Sequence, residues 1–282
     1  RLEGLQYFNK VDTRAEPSYV QQAKNLVIGV DEKNTGNFSL GAGFSSVDAL
    51  VGFAEVYQGN FDLFNPPTFT GGGQKLRLRA QLGTLREDYL ASFVEPWFLG
   101  RKLSLGVDAY YRDLAFNSLG GLYDEIRGGG SVSLTRALGS DFLIGSVNYT
   151  LEDVGILLNN NARGPFITEV PGIGNEPPSY VVHPGNTPQT IYKEDGYSLL
   201  SKLGTSLAYD TRGGGLLPNK GQRTELSAVL AGGPVGGDHS FYKLEAHTAW
   251  YFKGFAPGHV LEVLGRAGVA QAYGNSQDVP FY

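Results

Sequence analysis

The stretch Gln74-Lys-Leu-Arg-Leu-Arg-Ala-Gln-Leu-Gly-Thr84 decides the fold, because apolar side chains alternate along it with charged or polar ones. In a β-strand, successive side chains point to opposite faces. This strand therefore has one face of leucine and alanine and another of lysine, arginine and glutamine. A period of two over about ten residues excludes an amphipathic helix. The stretch predicts a strand that separates an apolar environment from a wet one.

The same alternation recurs from Asn34 onward and predicts an all-β fold. Each segment is close to the roughly 9–11 residues with which a tilted strand crosses a bilayer, whereas soluble strands typically have about 5–6. A secreted β-sandwich or solenoid alternates in the same way, but strand length favours a transmembrane antiparallel up-and-down barrel. We predict about eleven strands, at roughly 37–45, 50–61, 74–84, 88–98, 102–113, 123–136, 141–152, 197–210, 222–231, 240–252 and 259–271.

Composition excludes several other classes. The chain has no cysteine and 40 glycines, and no window approaches the roughly 18 apolar residues of a spanning helix. The formal charge of −5, with no lysine and arginine cluster, argues against a nucleic-acid partner. The four histidines lack metal-ligand spacing, and no Ser/His/Asp arrangement suggests itself. We therefore expect neither a cofactor nor an enzyme.

The connections predict which end of the barrel faces outward. The longest, at about 156–195, contains six prolines, which cannot serve in a central ladder. Long connections lie outside and short turns inside in such barrels, so the N-terminal end of the chain is expected in the periplasm. The aromatic residues that end three strands should then gather at the inner interface: Phe61, Phe64, Trp97, Phe98, Trp250, Phe252 and Phe255.

The two ends of the chain differ from this pattern. Residues 1–8 resemble the last turns of a helix, and two short strands are predicted at 11–15 and 25–30, which together suggest the remnant of a small α/β module. An odd strand count leaves Asp278–Tyr282 on the outer side, whereas closed bacterial barrels have even numbers. We therefore expect the barrel to continue beyond Tyr282.

Two groups of polar residues are candidate sites. Lys75, Arg77 and Arg79 form a basic row on the wet face of one strand; they either pair with carboxylates in the lumen or contact a substrate or an inserted loop. The connection 210–221 is the second group. Its Asp210 and Arg212 flank a turn, and its Pro218 and Gly221 redirect the chain into the next strand.

Taken in order, these segments resemble the BamA-type family of outer-membrane assembly proteins, which join periplasmic POTRA domains to a sixteen-stranded barrel. Residues 1–33 resemble the end of the last POTRA domain, and 37–45 the first barrel strand. The pattern Asp210-x-Arg with Pro218-x-x-Gly221 is similar to a characteristic turn of the family. The resemblance implies that 34–282 is the N-terminal part of the barrel, truncated before the inward-folded loop with its Val-Arg-Gly-Phe-like motif. TamA-like assembly factors and two-partner secretion transporters share this layout.

The resemblance also implies a function: assembly and insertion of β-barrel proteins into the bacterial outer membrane through a lateral gate at strand 1. The implied partners are unfolded outer-membrane protein clients, outer-membrane lipids, accessory lipoproteins and periplasmic chaperones. A protein-translocating pore and a passive porin are the alternatives. The glycines of strand 1 should weaken it and so let the gate open, although they can equally relieve crowding where the strand curves. The expected gate residues are Asn37, Phe38, Ser39, Leu40, Gly41, Ala42, Gly43 and Phe44.

Overall fold

The structure is a computed structural model that describes residues 7–17, 19, 23–45, 49–115, 122–159, 166–170, 179–183, 188–213, 218–256 and 258–282. It is almost entirely β-structure. Within these ranges, the α-helix is a single turn, α1 (Gln189–Tyr192), and two short 3₁₀ segments cover Phe98–Gly100 and Gly233–Val235. No helix in the described ranges is long and apolar enough to cross a membrane.

Eleven strands form one continuous antiparallel sheet, as the alternation predicted. Each strand pairs with the next strand of the sheet along the chain, including Leu143–Leu158 and Gly196–Asp210, which pair although a long connection separates them. The strands are β3 (Gly36–Ser45), β4 (Ala49–Phe61), β5 (Gln74–Gly83), β6 (Arg86–Glu95), β7 (Ser104–Ala115), β8 (Tyr123–Ala137), β9 (Leu143–Leu158), β12 (Gly196–Asp210), β13 (Gly221–Ala231), β14 (Phe241–Lys253) and β15 (Val260–Ala272).

Among the residues that the structure describes, two hairpins lie outside this sheet. Near the N-terminus, β1 (Phe8–Pro17) pairs with β2 (Lys24–Glu32), which confirms the two predicted short strands. The predicted helix at 1–8 lies mostly outside the described residues, and the part that extends to Phe8 is wrong because β1 begins there. Within the long connection, β10 (Phe166–Val170) pairs with β11 (Ser179–His183) and with no strand of the main sheet.

The strand register assigns every side chain of the main sheet to one of two faces, because directly opposed residues share a face. Leu78, Val107, Leu151, Leu203 and Leu226 are exposed on what we name the outer face. The opposite, inner face carries nearly all the ion pairs of the strands, among them Arg77 with Glu55, Arg112 with Asp88, Arg127 with Glu125, Lys202 with Glu152 and Arg266 with Glu245.

The two ends of the sheet are named here from the path of the chain. The proximal end is the one where the chain enters β3, and it carries the connections β4–β5, β6–β7, β8–β9, β12–β13 and β14–β15. The distal end carries the other connections and the segment after β15. Buried apolar residues gather on the inner face at the distal end: Tyr123, Val154, Ile156, Leu158, Leu200, Ala231 and Phe241.

Candidate functional site

The expected gate strand, β3, is an edge strand of the sheet. Among the described residues, β3 pairs with β4 on one side and with nothing on the other. Its outer-face side chains Phe38, Leu40 and Phe44 are 66%, 75% and 81% exposed. An outer strand presents a row of unpaired N–H and C=O groups to which another strand can add. Within the part of the chain that the structure describes, the residues predicted as a gate thus lie on one edge strand of the sheet, and β15 is the strand at the opposite edge.

Two glycines of β3 differ in their surroundings. A side chain at Gly41 would overlap the ring of Phe53, which lies over the backbone of β3. A side chain at Gly43 would meet nothing within 4 Å. Packing therefore accounts for Gly41, whereas no neighbouring atom accounts for Gly43.

The turn between β12 and β13 is held together by its own side chains. Arg212 binds the Asp210 carboxylate in a fork, with Nε donating to Oδ1 at 2.9 Å and Nη2 donating to Oδ2 at 2.7 Å. Gly221 has φ +97°, and a side chain there would overlap the carbonyl oxygen of Thr211. The carboxylate also raises the pKa of Arg212, chiefly through the side-chain hydrogen bond. The four predicted motif residues lie in one turn, with Pro218 on its returning limb.

The basic row lies on the inner face of β5 but does not act as one unit. Arg77 donates to Glu55 Oε1 at 3.2 Å. Arg79 donates to Gln81 Oε1 at 2.9 Å and lies over the Phe53 ring, 5.8 Å from its centroid. Lys75 is exposed. Arg77 therefore follows the expected pairing with a carboxylate, and Arg79 has a neutral partner instead.

A buried charge cluster on the inner face was not predicted from the sequence. Glu152 in β9 is 3% exposed, and its Oε1 forms an ion pair with the ammonium group of Lys202 in β12. Its Oε2 accepts a hydrogen bond of 2.5 Å from the hydroxyl of Tyr110 in β7. Tyr110 reaches Glu152 across β8 at Gly129, where a side chain would come within 2.5 Å of a backbone oxygen. The sequence contained one signal, a carboxylate among the inward-facing residues of β9.

The segment after β15 returns across the inner face at the distal end. Phe281 packs edge-on against Tyr123 with ring centroids 5.8 Å apart, although β8 lies five strands from β15 in the sheet. Tyr282 donates to Glu194 Oε2 at 3.3 Å, and burial raises its pKa to about 12. Asp278 pairs with Lys193 at 3.0 Å. The prediction placed Asp278–Tyr282 on the outer side; the structure adds that these residues cover the apolar cluster inside.

Comparison with known proteins explains this architecture. Residues 68–282 match the model of the Omp85 superfamily domain. The chain belongs to the Omp85 superfamily. Together with the BamA relatives described next, this finding confirms the BamA-type resemblance.

Two curated relatives and a solved structure agree with this assignment. The chain is 26% identical to the outer membrane protein assembly factor BamA of Nitratidesulfovibrio vulgaris and 24% identical to that of Neisseria meningitidis serogroup B, in both cases over its whole length. The crystal structure of BamA from Haemophilus ducreyi lacking POTRA domains 1–3 has the same fold, with a TM-score of 0.63 and 20% sequence identity over all of this chain and 49% of that one. The chain spans about a third of the length of the two curated relatives, 31% and 33%.

Membership of the Omp85 superfamily supports an outer-membrane protein with an antiparallel barrel sheet. It leaves the predicted boundary at residue 33 between a POTRA end and the barrel as a prediction. The roles of the gate strand, the turn motif and the basic row also stay predictions, each with the geometry given above.

Proposed function

We propose that the protein containing this chain inserts β-barrel proteins into the outer membrane and that β3 is the strand to which an incoming client strand pairs. The observation that supports the proposal is that β3 is the first strand of the barrel sheet in an Omp85 chain, where it would meet the last strand of the complete barrel at its free side. Pairing through main-chain groups does not depend on the client's side chains. A seam that opens there would therefore accept many different clients.

The proposed partners follow from this activity. They are unfolded outer-membrane protein clients, outer-membrane lipids along the outer face, accessory lipoproteins and periplasmic chaperones. The two BamA relatives are named as assembly factors, which supports this choice over a secretion pore. A passive porin needs an open lumen, and the return of Phe281 and Tyr282 across the inner face weighs against it.

We propose that the proximal end faces the periplasm, together with the N-terminal hairpin. The connection from β9 to β12, which contains β10, β11 and α1, emerges at the distal end. Long connections of bacterial barrels lie on the extracellular side. Labelling of Asn219→Cys by a membrane-impermeant maleimide in intact cells tests the orientation, since labelling before the outer membrane is permeabilised contradicts it.

A pair of disulfides in the full-length protein tests the gate. One disulfide joins β3 to the last strand of the complete barrel and should abolish insertion of a client barrel into liposomes until a reductant is added. The control joins β3 to β4 through Ala42→Cys and Gly52→Cys, which face each other in the sheet at the Cα spacing that a disulfide accepts. The control should leave insertion unchanged, because this pairing does not open. Equal insertion by both oxidised proteins would refute the gate.

A further inference from the structure

Main-chain pairing does not by itself fix the register of a strand that adds to β3. A slip of one residue is opposed, because it would turn the apolar side chains of the added strand toward the wet face. A slip of two residues keeps every side chain on its own face and restores the same pattern of hydrogen bonds. If β3 receives client strands, as proposed above, a side chain beside β3 is needed to distinguish registers two residues apart.

The inner face of β3 itself carries only small or short side chains. Asn37, Ser39, Gly41 and Gly43 occupy inner-face positions, since they alternate along the strand with its exposed outer-face residues. Among the described residues, no neighbouring atom lies within 4 Å of the point where a side chain at Gly43 would begin. A strand at the free side of β3 would therefore find few contacts from β3 on this face.

A large side chain of β4 reaches across this part of β3. Phe53 is directly opposite Gly41 in the register, and Cζ at the tip of its ring is 2.7 Å from the position that a Cβ of Gly41 would occupy. The ring thus spans the spacing between the two strands, about 4.8 Å. Because Gly41 has no side chain, the Phe53 ring is the first side chain that an inward residue opposite Gly41 would meet.

The ring of Phe53 is held from the side of β5. The guanidinium carbon of Arg79 lies over it, 5.8 Å from the ring centroid, and a cation is attracted to the face of an aromatic ring. Arg79 also donates to Gln81 Oε1 at 2.9 Å. Phe53 nevertheless remains 38% exposed, on the face where Arg77 pairs with Glu55. An apolar ring is therefore presented in a fixed position beside the free side of β3.

We infer that Phe53 sets the register of the strand that pairs with β3, by contacting the inward side chain that comes to lie opposite Gly41. The kind of partner follows from this contact. It is a transmembrane strand whose inward residues are polar apart from one apolar or aromatic residue, which packs against the ring. Cross-strand contacts of this kind favour one pairing over another, and a slip of two residues would bring a polar side chain against the ring instead.

The test is a register scan by disulfide cross-linking in the full-length protein, with any other cysteine replaced. Ser39→Cys on the inner face of β3 is combined with a small outer-membrane barrel that a fused folded domain arrests during insertion. Single cysteines are placed at successive inward positions of the two terminal strands of this client, since these strands have a free edge. The scan is repeated with Phe53→Ala and Phe53→Leu. The matched control is Val51→Ala, on the same face of β4 and opposite Gly43.

With Phe53 intact, and in Val51→Ala, we expect one client position to form most of the cross-link. Phe53→Ala should raise cross-linking several-fold at the positions two residues to either side, with an unchanged total. Phe53→Leu should restore the single register, because it keeps an apolar contact. Gly41→Ala, which displaces the ring, should spread the cross-links as Phe53→Ala does.

A single unchanged register in both Phe53→Ala and Gly41→Ala would overturn the inference and leave pairing at β3 intact. A lower total at an unchanged register would also overturn it, since the ring would then serve folding alone. Absence of cross-links from every protein would overturn the proposed pairing at β3 together with the inference.

Discussion

Removal of Lys202 should cost more stability than removal of its partner Glu152. The Glu152 side chain is 3% exposed and that of Lys202 is 25% exposed. In Lys202→Met the carboxylate stays buried, with the Tyr110 hydroxyl as its remaining direct partner. Breaking a buried pair in this way costs about 3–5 kcal/mol. Because the cluster touches water through the lysine side, we expect the lower value, about 3 kcal/mol.

The reverse change is milder for a physical reason that the structure supplies. In Glu152→Gln the amide oxygen still accepts from Tyr110, and the ammonium group of Lys202 can turn toward water. The expected cost is about 1 kcal/mol, the net value of one hydrogen bond. The double variant should be more stable than Lys202→Met alone, because no buried charge remains unpaired.

The assay is urea-induced unfolding of the full-length barrel in detergent micelles, followed by tryptophan fluorescence and by heat-dependent mobility on gels. The expected order of stability is wild type, Glu152→Gln, the double variant, then Lys202→Met. A Lys202→Met protein as stable as Glu152→Gln, or strictly additive effects in the double variant, would refute the reasoning. Either result would mean that water solvates this carboxylate.

Glycine positions give four further predictions that share the unfolding assay. Gly129→Ala should destabilise by about 1–3 kcal/mol through overpacking, since its side chain would come within 2.5 Å of a backbone oxygen, whereas the adjacent Gly128→Ala has its nearest contact at 3.6 Å and should be tolerated. Gly221→Ala should cost about 1–3 kcal/mol, because φ is +97° there. Gly43→Ala should stabilise β3 by about 0.5–1 kcal/mol and lower client insertion in liposomes if the gate must open. Gly41→Ala should lower stability instead, since it displaces the Phe53 ring.

The period-two pattern was enough to predict the number, order and faces of the strands of the main sheet, because such a sheet separates two environments residue by residue; it did not predict β10 and β11. It predicted β5 at 74–84, and the strand is Gln74–Gly83. It was wrong about the end of β6, which stops at Glu95 and not at residue 98. There Glu95 accepts a hydrogen bond from the backbone N–H of Trp97 at 2.9 Å and closes a turn. No local periodicity reports such a contact.

The candidate sites were less predictable, because each depends on neighbours that only the register brings together. Gly41 and Gly43 look alike in sequence, yet one lies under an aromatic ring and the other faces open space. The cluster around Glu152 joins three strands and needs a gap in a fourth, at Gly129. The cluster follows from the pairing and register of the strands and not from the sequence of any single strand.

The end of β9 shows why the prediction stopped there too soon. From Ser146 to Glu152 the inward residues of this strand are polar, but Val154, Ile156 and Leu158 then face inward and are buried. Inward-facing side chains of a barrel strand should not change from polar to apolar in this way unless other residues of the protein cover the apolar ones. The segment that ends in Tyr282 supplies that cover.

The change from polar to apolar inward residues in β9 is thus the sequence signature of an inward-docked segment. Ile156→Asn should release that segment while leaving the strands paired. Faster proteolysis after residue 272 with an unchanged circular dichroism spectrum is the expected result, and equal proteolysis would mean that the polar contacts of Asp278 and Tyr282 hold the segment by themselves.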